Sequence, residues 1–193
     1  MLMARDKEIL KHIEKYRGIT IKQAQYLFFN KSYENARRRL SDLENKMGLI
    51  KSYKSNYSKE KVFILDKKIS DHDLITLDYL KFLAANECEI VEVKMQPKYL
   101  KGIIRADAFV IFKKDGYKYF TILEVDYTHY TENTKFQLYE KLYRDKELEV
   151  KCEGTFPILI VARPTPGVRY NSNNFEVIYT DLNYDNLSTH LFS

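Results

Sequence analysis

The stretch "ILEVDYTHYTENTKF", residues 122–136, is where an apolar run stops on acidic residues and a helical pattern begins. Glu124 and Asp126 stand two apart at the end of the run, so a strand there carries both on one face. Past it, residues 131–146 read as a helix, and "FPILIVAR" (156–163) is apolar throughout, as expected of a strand covered on both faces. Upstream, residues 103–127 form two apolar runs joined by the turn "KKDG" (113–116), a hairpin signal. "EIVEVKMQ" (89–96) alternates apolar and polar, "FEVIYTDL" (175–182) reads as a last strand, and "DNLSTHL" (185–191) as a short terminal helix. Ser70 or Asp71 can cap a linking helix at 72–86, with Leu74, Leu77, Leu80 and Leu83 as its apolar positions. The order α-β-β-β-α-β-β predicts an α/β domain with a mixed central sheet over residues 68–193.

Three carboxylates interrupt these apolar strands: Asp107, Glu124 and Asp126. Burying a carboxylate is costly, so each requires a partner, a metal or water. A hairpin closed at "KKDG" brings Asp107 and Glu124 close across the pair. Such a pair can hold Mg²⁺ or Mn²⁺ and place a water for phosphodiester attack. The competing reading is architectural. Arg105 then pairs with Asp107, Asp126 caps the helix beginning near Thr131 or organises the loop before it, and Lys135 and Tyr139, one turn apart, pack against Glu124. In that version the second domain is a scaffold for dimerisation or for docking another protein. His129, near the acidic cluster, is either an added ligand or a solvated loop residue.

The first part of the chain has another character. Residues 1–70 hold 17 Lys and Arg against 8 Asp and Glu, a net of +9, while residues 71–193 hold 15 against 19, a net of −4. A basic half attracts phosphate backbones. Ile9, Leu10, Ile13 and Tyr16 lie on one face of a helix over 5–17, which Gly18 ends. Thr20 caps a second helix with Ala24, Leu27 and Phe28 inward, and Ser32 starts a third with Ala36, Leu40, Leu43 and Met47 as its stripe. Two strand-like runs follow, joined by "NYSKE" (56–60). Three helices and a hairpin predict a winged helix-turn-helix over residues 1–67. The third helix would offer Tyr33, Asn35, Arg37, Arg38 and Arg39 to a DNA groove, and the hairpin Lys51, Lys54, Lys59 and Lys61 to the backbone. Winged helices also serve as protein-binding modules, and "RRR" is equally the composition of a solvated helix face.

Other chemistry finds little support. The two cysteines, Cys88 and Cys152, are far apart and lack metal spacing, which suits a reduced, cytoplasmic protein. No apolar run is long enough to span a bilayer, and "MLMARDKEIL" lacks the apolar core of a signal peptide. No phosphate-binding glycine loop, nucleophile elbow or His-x-His pair occurs.

Asp107 followed by Glu124 resembles the restriction-endonuclease-like, or PD-(D/E)xK, superfamily, whose pattern is an Asp on one strand and Glu-x-Lys on the next. Asp126 stands where that lysine belongs, and Lys135, with Lys141 second, is the candidate to supply it from the following helix. A resemblance covering most of the chain is to the replication-relaxation family of plasmid and mobile-element proteins. It is carried by the basic winged helix, "RADAFV", "LEVDYT", "KFQLY" and "FPILIVARPT", with Arg105, Asp107, Glu124, Asp126, Lys135 and Tyr139 at the matching positions. The resemblance implies a winged helix followed by a restriction-endonuclease-like domain. It further implies double-stranded-DNA binding in replication, DNA relaxation or transfer, or its transcriptional control, beside a relaxase or replication initiator. Two alternatives stand with it: a Mg²⁺-dependent DNA endonuclease or nickase using Asp107, Glu124, Asp126 and Lys135, and a winged-helix transcriptional regulator whose second domain dimerises or senses a ligand.

Overall fold

Capping and apolar spacing set the first elements. In the computed structural model, which describes residues 2–127, 131–165 and 169–192, α1 (Ala4–Tyr16) buries Ile9 and Ile13 along one stripe. The chain then forms β1 (Ile19–Thr20), a short strand that the sequence pattern does not announce. Thr20 ends it and caps α2 (Ile21–Phe28). Gln23 N donates to Thr20 Oγ1 (3.1 Å) and Thr20 N donates to Gln23 Oε1 (2.9 Å), a reciprocal capping box. Arg17, not Gly18, takes the left-handed backbone at the end of α1, with φ 73°. Gly18 answers a different need: a Cβ there would stand 3.0 Å from the Ile69 side chain and 3.3 Å from the Phe63 carbonyl.

α3 (Tyr33–Asn45) buries Ala36, Leu40 and Leu43. β2 (Lys51–Lys54) and β3 (Lys61–Ile64) follow, and the three strands form an antiparallel sheet in the order β1-β3-β2. α4 (Asp71–Ala85) starts at Ser70, whose Oγ accepts from Asp73 N at 3.0 Å. Gln23 Nε2 of α2 donates to Leu74 O (3.2 Å) and Asp78 Oδ1 (3.0 Å) of α4, and Tyr53 OH donates to Ile69 O (2.9 Å). These bonds tie α4 to the helices before it. The chain accordingly divides into Met1–Ala85 and Asn86–Ser193, whereas the element order read from sequence ends the first domain at residue 67.

The second unit opens with β4 (Glu89–Met95). The apolar run that follows is not one strand. β5 (Lys98–Tyr99) and β6 (Ile104–Arg105) form a separate two-stranded ribbon around a 3₁₀ turn at Leu100–Gly102. Asp107 lies in the break before β7 (Ala108–Lys114), which pairs through the "KKDG" turn with β8 (Tyr117–Val125). α5 (Asn133–Arg144) crosses to β9 (Ile158–Ala162), then come β10 (Val177–Thr180) and α6 (Ser188–Leu191). The sheet order is β10-β9-β8-β7-β4; β4, β7 and β8 are antiparallel, while β8, β9 and β10 are parallel. The described residues thus form a mixed α/β fold of six α-helices with a mixed five-stranded sheet at its centre. Phe109, Ile122, Leu159 and Val161 of the sheet and Phe136, Tyr139 and Leu142 of α5 share one core. No helix among the described residues is long and apolar enough to cross a membrane.

Candidate functional site

Glu124 sits near the end of β8, opposite Val161 of β9, with 1% of its surface exposed. Its side chain faces α5. Two α5 side chains one turn apart meet it there: Lys135 Nζ at 2.5 Å from Oε2, and the Tyr139 hydroxyl, which donates to Oε1. Burial pushes the Glu124 carboxyl up to about 7, against the pull of the Lys135 ammonium. Burial, with the neighbouring carboxylate, raises the Tyr139 phenol well above its ordinary value, so it stays a donor.

The flanking acids have separate tasks. Asp107 Oδ2 accepts from Val125 N at 2.7 Å, closing the backbone ladder where β7 starts, and Asp107 N donates to Leu123 O at 3.1 Å. Asp126 lies just beyond β8 and is 4% exposed. Its Oδ1 accepts from Thr131 N (2.7 Å) and Thr131 Oγ1 (2.6 Å), organising the approach to α5, while its own N–H donates to Ala162 O (2.8 Å). Arg105 is exposed and makes no ion pair among the described residues, so the expected Arg105–Asp107 bridge does not form. His129 lies outside the described residues.

Do these residues fit Mg²⁺ or Mn²⁺? Such ions need several oxygen ligands converging at about 2.0–2.2 Å. Both Glu124 oxygens face hydrogen-bond donors, with the Lys135 ammonium at the distance a competing cation would occupy. Asp107 Oδ2 and Asp126 Oδ1 are each engaged by a backbone N–H group. Among the described residues, no three His, Cys, Asp or Glu side chains stand close enough to hold a metal. The donor set does not fit a divalent cation, and Lys135 serves as its internal substitute. Chemically the cluster is a clamp: it fixes α5 to the sheet through one buried carboxylate.

Two neighbouring features escape sequence reading. Glu140, on the turn beside Tyr139, accepts from Tyr170 OH (2.6 Å), Ser172 Oγ (2.6 Å) and Asn174 Nδ2 (2.7 Å), and so pins a segment 30 residues away. Arg163 at the end of β9 is 2% exposed, its guanidinium 5.9 Å from the Tyr179 ring centre. No local spacing announces partners so distant in sequence.

The basic residues of the first unit separate into two groups. Tyr33, Asn35, Arg37 and Arg38 are exposed along α3, and Lys51, Lys54, Lys59 and Lys61 are exposed on the hairpin. Arg37 is held as a fork by Glu34, with Nε–Oε2 at 3.0 Å and Nη2–Oε1 at 2.5 Å, and Lys61 meets Glu44 at 2.6 Å. Arg39 turns the other way. Its Nε and Nη2 contact Asp6 Oδ1 and Oδ2 at 2.8 and 2.5 Å, and Asp6 is fully buried. That bridge holds α3 to α1 and removes Arg39 from the exposed set. Position 39 follows Ala36 by three and precedes Leu43 by four, so helical period alone places it beside the buried stripe. His12 is a further hidden residue: its Nε2 is buried with no hydrogen-bond partner among the described residues, its ring lies against Tyr16 and Phe28, and burial lowers it to about 4.

Comparison with protein-family models, curated proteins and solved structures finds no match to this chain.

Proposed function

We propose that this chain is a double-stranded-DNA-binding accessory protein of a plasmid or other mobile element, with a winged-helix reader and a restriction-endonuclease-like scaffold that does no nuclease chemistry. The observation that carries this reading is the exposed face of α3. Tyr33, Asn35, Arg37 and Arg38 lie along it, free of the core, and the β2–β3 hairpin presents Lys51, Lys54 and Lys59. The element order α1-β1-α2-α3-β2-β3, with a β1-β3-β2 sheet, supports a winged helix. Through Ala85 the chain carries 18 Lys and Arg against 11 Asp and Glu, a net of +7, which favours a polyanion partner. Arg37 and Arg38 are suited to base edges and the hairpin lysines to phosphates.

For the second unit, the succession β4, β7, β8, α5, β9 through the central sheet, with Asp107 and Glu124 at the restriction-endonuclease-like positions, supports a nuclease-derived scaffold. Nuclease chemistry is disfavoured because Lys135 and Tyr139 occupy the Glu124 carboxylate. The role in replication, relaxation or transfer, or transcriptional control, and the docking of a relaxase or replication initiator, rest on the resemblance at Arg105, Asp107, Glu124, Asp126, Lys135 and Tyr139.

The test has two arms. In a duplex-binding titration, Arg37→Ala with Arg38→Ala should weaken binding by about 2–4 kcal/mol, and unchanged affinity removes α3 from the reading. Supercoiled plasmid with Mg²⁺ or Mn²⁺ should be retarded on a gel but left uncut. Nicking that Glu124→Ala abolishes overturns the scaffold assignment in favour of an endonuclease.

A further inference from the structure

The β5–β6 ribbon pairs like charges. Lys98 stands directly opposite Arg105 in the antiparallel register, so both side chains leave the same face at neighbouring positions. Directly opposed like charges destabilise a strand pair. Both residues are exposed, and neither has an ion-pair partner among the described residues. At the base of the ribbon is a cavity whose lining includes Lys94, Lys98, Lys151, Tyr99 and Phe109. Lys94 is exposed opposite Phe109 in the β4–β7 ladder, and Lys151 lies over the Phe109 ring at 4.9 Å.

Two acids lie beside this patch, and neither forms an ion pair with Lys94, Lys98, Lys101 or Arg105 among the described residues. Glu92 is engaged by Lys151 at 2.6 Å, and Glu147 Oε2 accepts from Leu100 N at 2.9 Å. The concentration of positive charge also runs against its surroundings: from Asn86 onward the chain holds 14 Lys and Arg against 16 Asp and Glu, a net of −2. Four basic residues with no ion pair among the described residues, Lys94, Lys98, Lys101 and Arg105, fall in or beside one ribbon of an otherwise acidic unit.

We infer that the β5–β6 ribbon and the cavity at its base form a second site for the DNA phosphate backbone, with Lys98, Arg105 and Lys94 as its contacts. A phosphodiester bridging Lys98 and Arg105 turns their mutual repulsion into two charge-assisted contacts. The site carries no base-reading geometry, so it adds affinity and salt dependence without sequence preference. This inference rests on the DNA-binding reading above, and makes the second unit a participant in that binding.

The experiment is a fluorescence-anisotropy titration of the full chain with duplex DNA between 50 and 200 mM salt. Wild type, Lys98→Gln/Arg105→Gln, Lys98→Arg/Arg105→Lys and Arg37→Ala/Arg38→Ala are compared, with circular dichroism confirming the fold of each. Losing two phosphate contacts should flatten the slope of log K against log salt by about 1.8 in the Gln pair, and the charge-conserving pair should keep the wild-type slope. Should the Gln pair fail to fold, Lys98→Gln and Arg105→Gln singly should each flatten it by about 0.9. A wild-type slope in the Gln variants beside weakened affinity in Arg37→Ala/Arg38→Ala overturns the ribbon site and leaves the α3 reading standing. A wild-type chain that binds no duplex overturns both.

Discussion

At the scale of single residues, two buried titratable groups pull stability in opposite directions with pH. Glu124 has its carboxyl raised to about 7, so the folded chain holds a proton there that the unfolded chain has lost. Its contribution to stability is therefore greatest at low pH and declines as pH rises from the ordinary carboxylate value towards 7. His12 is lowered from 6.5 to about 4, so the unfolded chain takes up the proton first. Stability from His12 is present above about 6.5 and is lost as pH falls towards 4. His12→Phe keeps an aromatic ring between Tyr16 and Phe28 and removes the proton site. It should abolish an acid-side loss of about 2–3 kcal/mol, read from denaturant midpoints at pH 7 and pH 4.5; an undiminished loss places the acid sensitivity elsewhere. The acids of the cluster were legible in sequence because each breaks an apolar run. His12 was not, since a histidine within a polar helix looks solvated until its neighbours are known.

At the scale of elements, the Arg39–Asp6 bridge joins α3 to α1 through a fully buried carboxylate. Arg39→Ala leaves the Asp6 carboxylate enclosed without its counter-charge, and should cost about 3 kcal/mol in urea unfolding. Arg38→Ala, one residue away on the exposed face, should cost less than about 0.5 kcal/mol. Equal losses would mean that the bridge does not hold α3. The helices themselves were readable, because their apolar stripes and the Thr20–Gln23 capping box are local signals. The ribbon was not. Residues 103–112 have the composition of one continuous strand, and the break at Asp107 appears only when β6 turns to pair with β5 instead of continuing along β8. β1 was missed for a similar reason, since two residues carry no periodicity and its pairing with β3 lies more than forty positions downstream.

At the scale of the molecule, charge and element order together announced a basic helical part and an α/β part, and the expected mixed sheet is present, with five strands. The position of the division did not follow from charge. Composition changes where the lysines stop, near residue 68, but the chain's contacts are decided by what α2 packs against, and that is α4. Acidic α4 lowers the net charge of the first unit without leaving it.

The Gln23 amide has a practical consequence for anyone who wishes to handle the DNA-binding part alone. A clone terminated at the end of the lysine-rich segment would leave that amide without Leu74 and Asp78, and would leave α2 without the helix packed against it. Expressed as 1–67, the piece should melt well below the same piece extended to Ala85, by about 10 °C or more if a few kcal/mol are lost. Equal melting temperatures for the two lengths would show α4 to be dispensable there. The stop codon therefore belongs after the fourth helix.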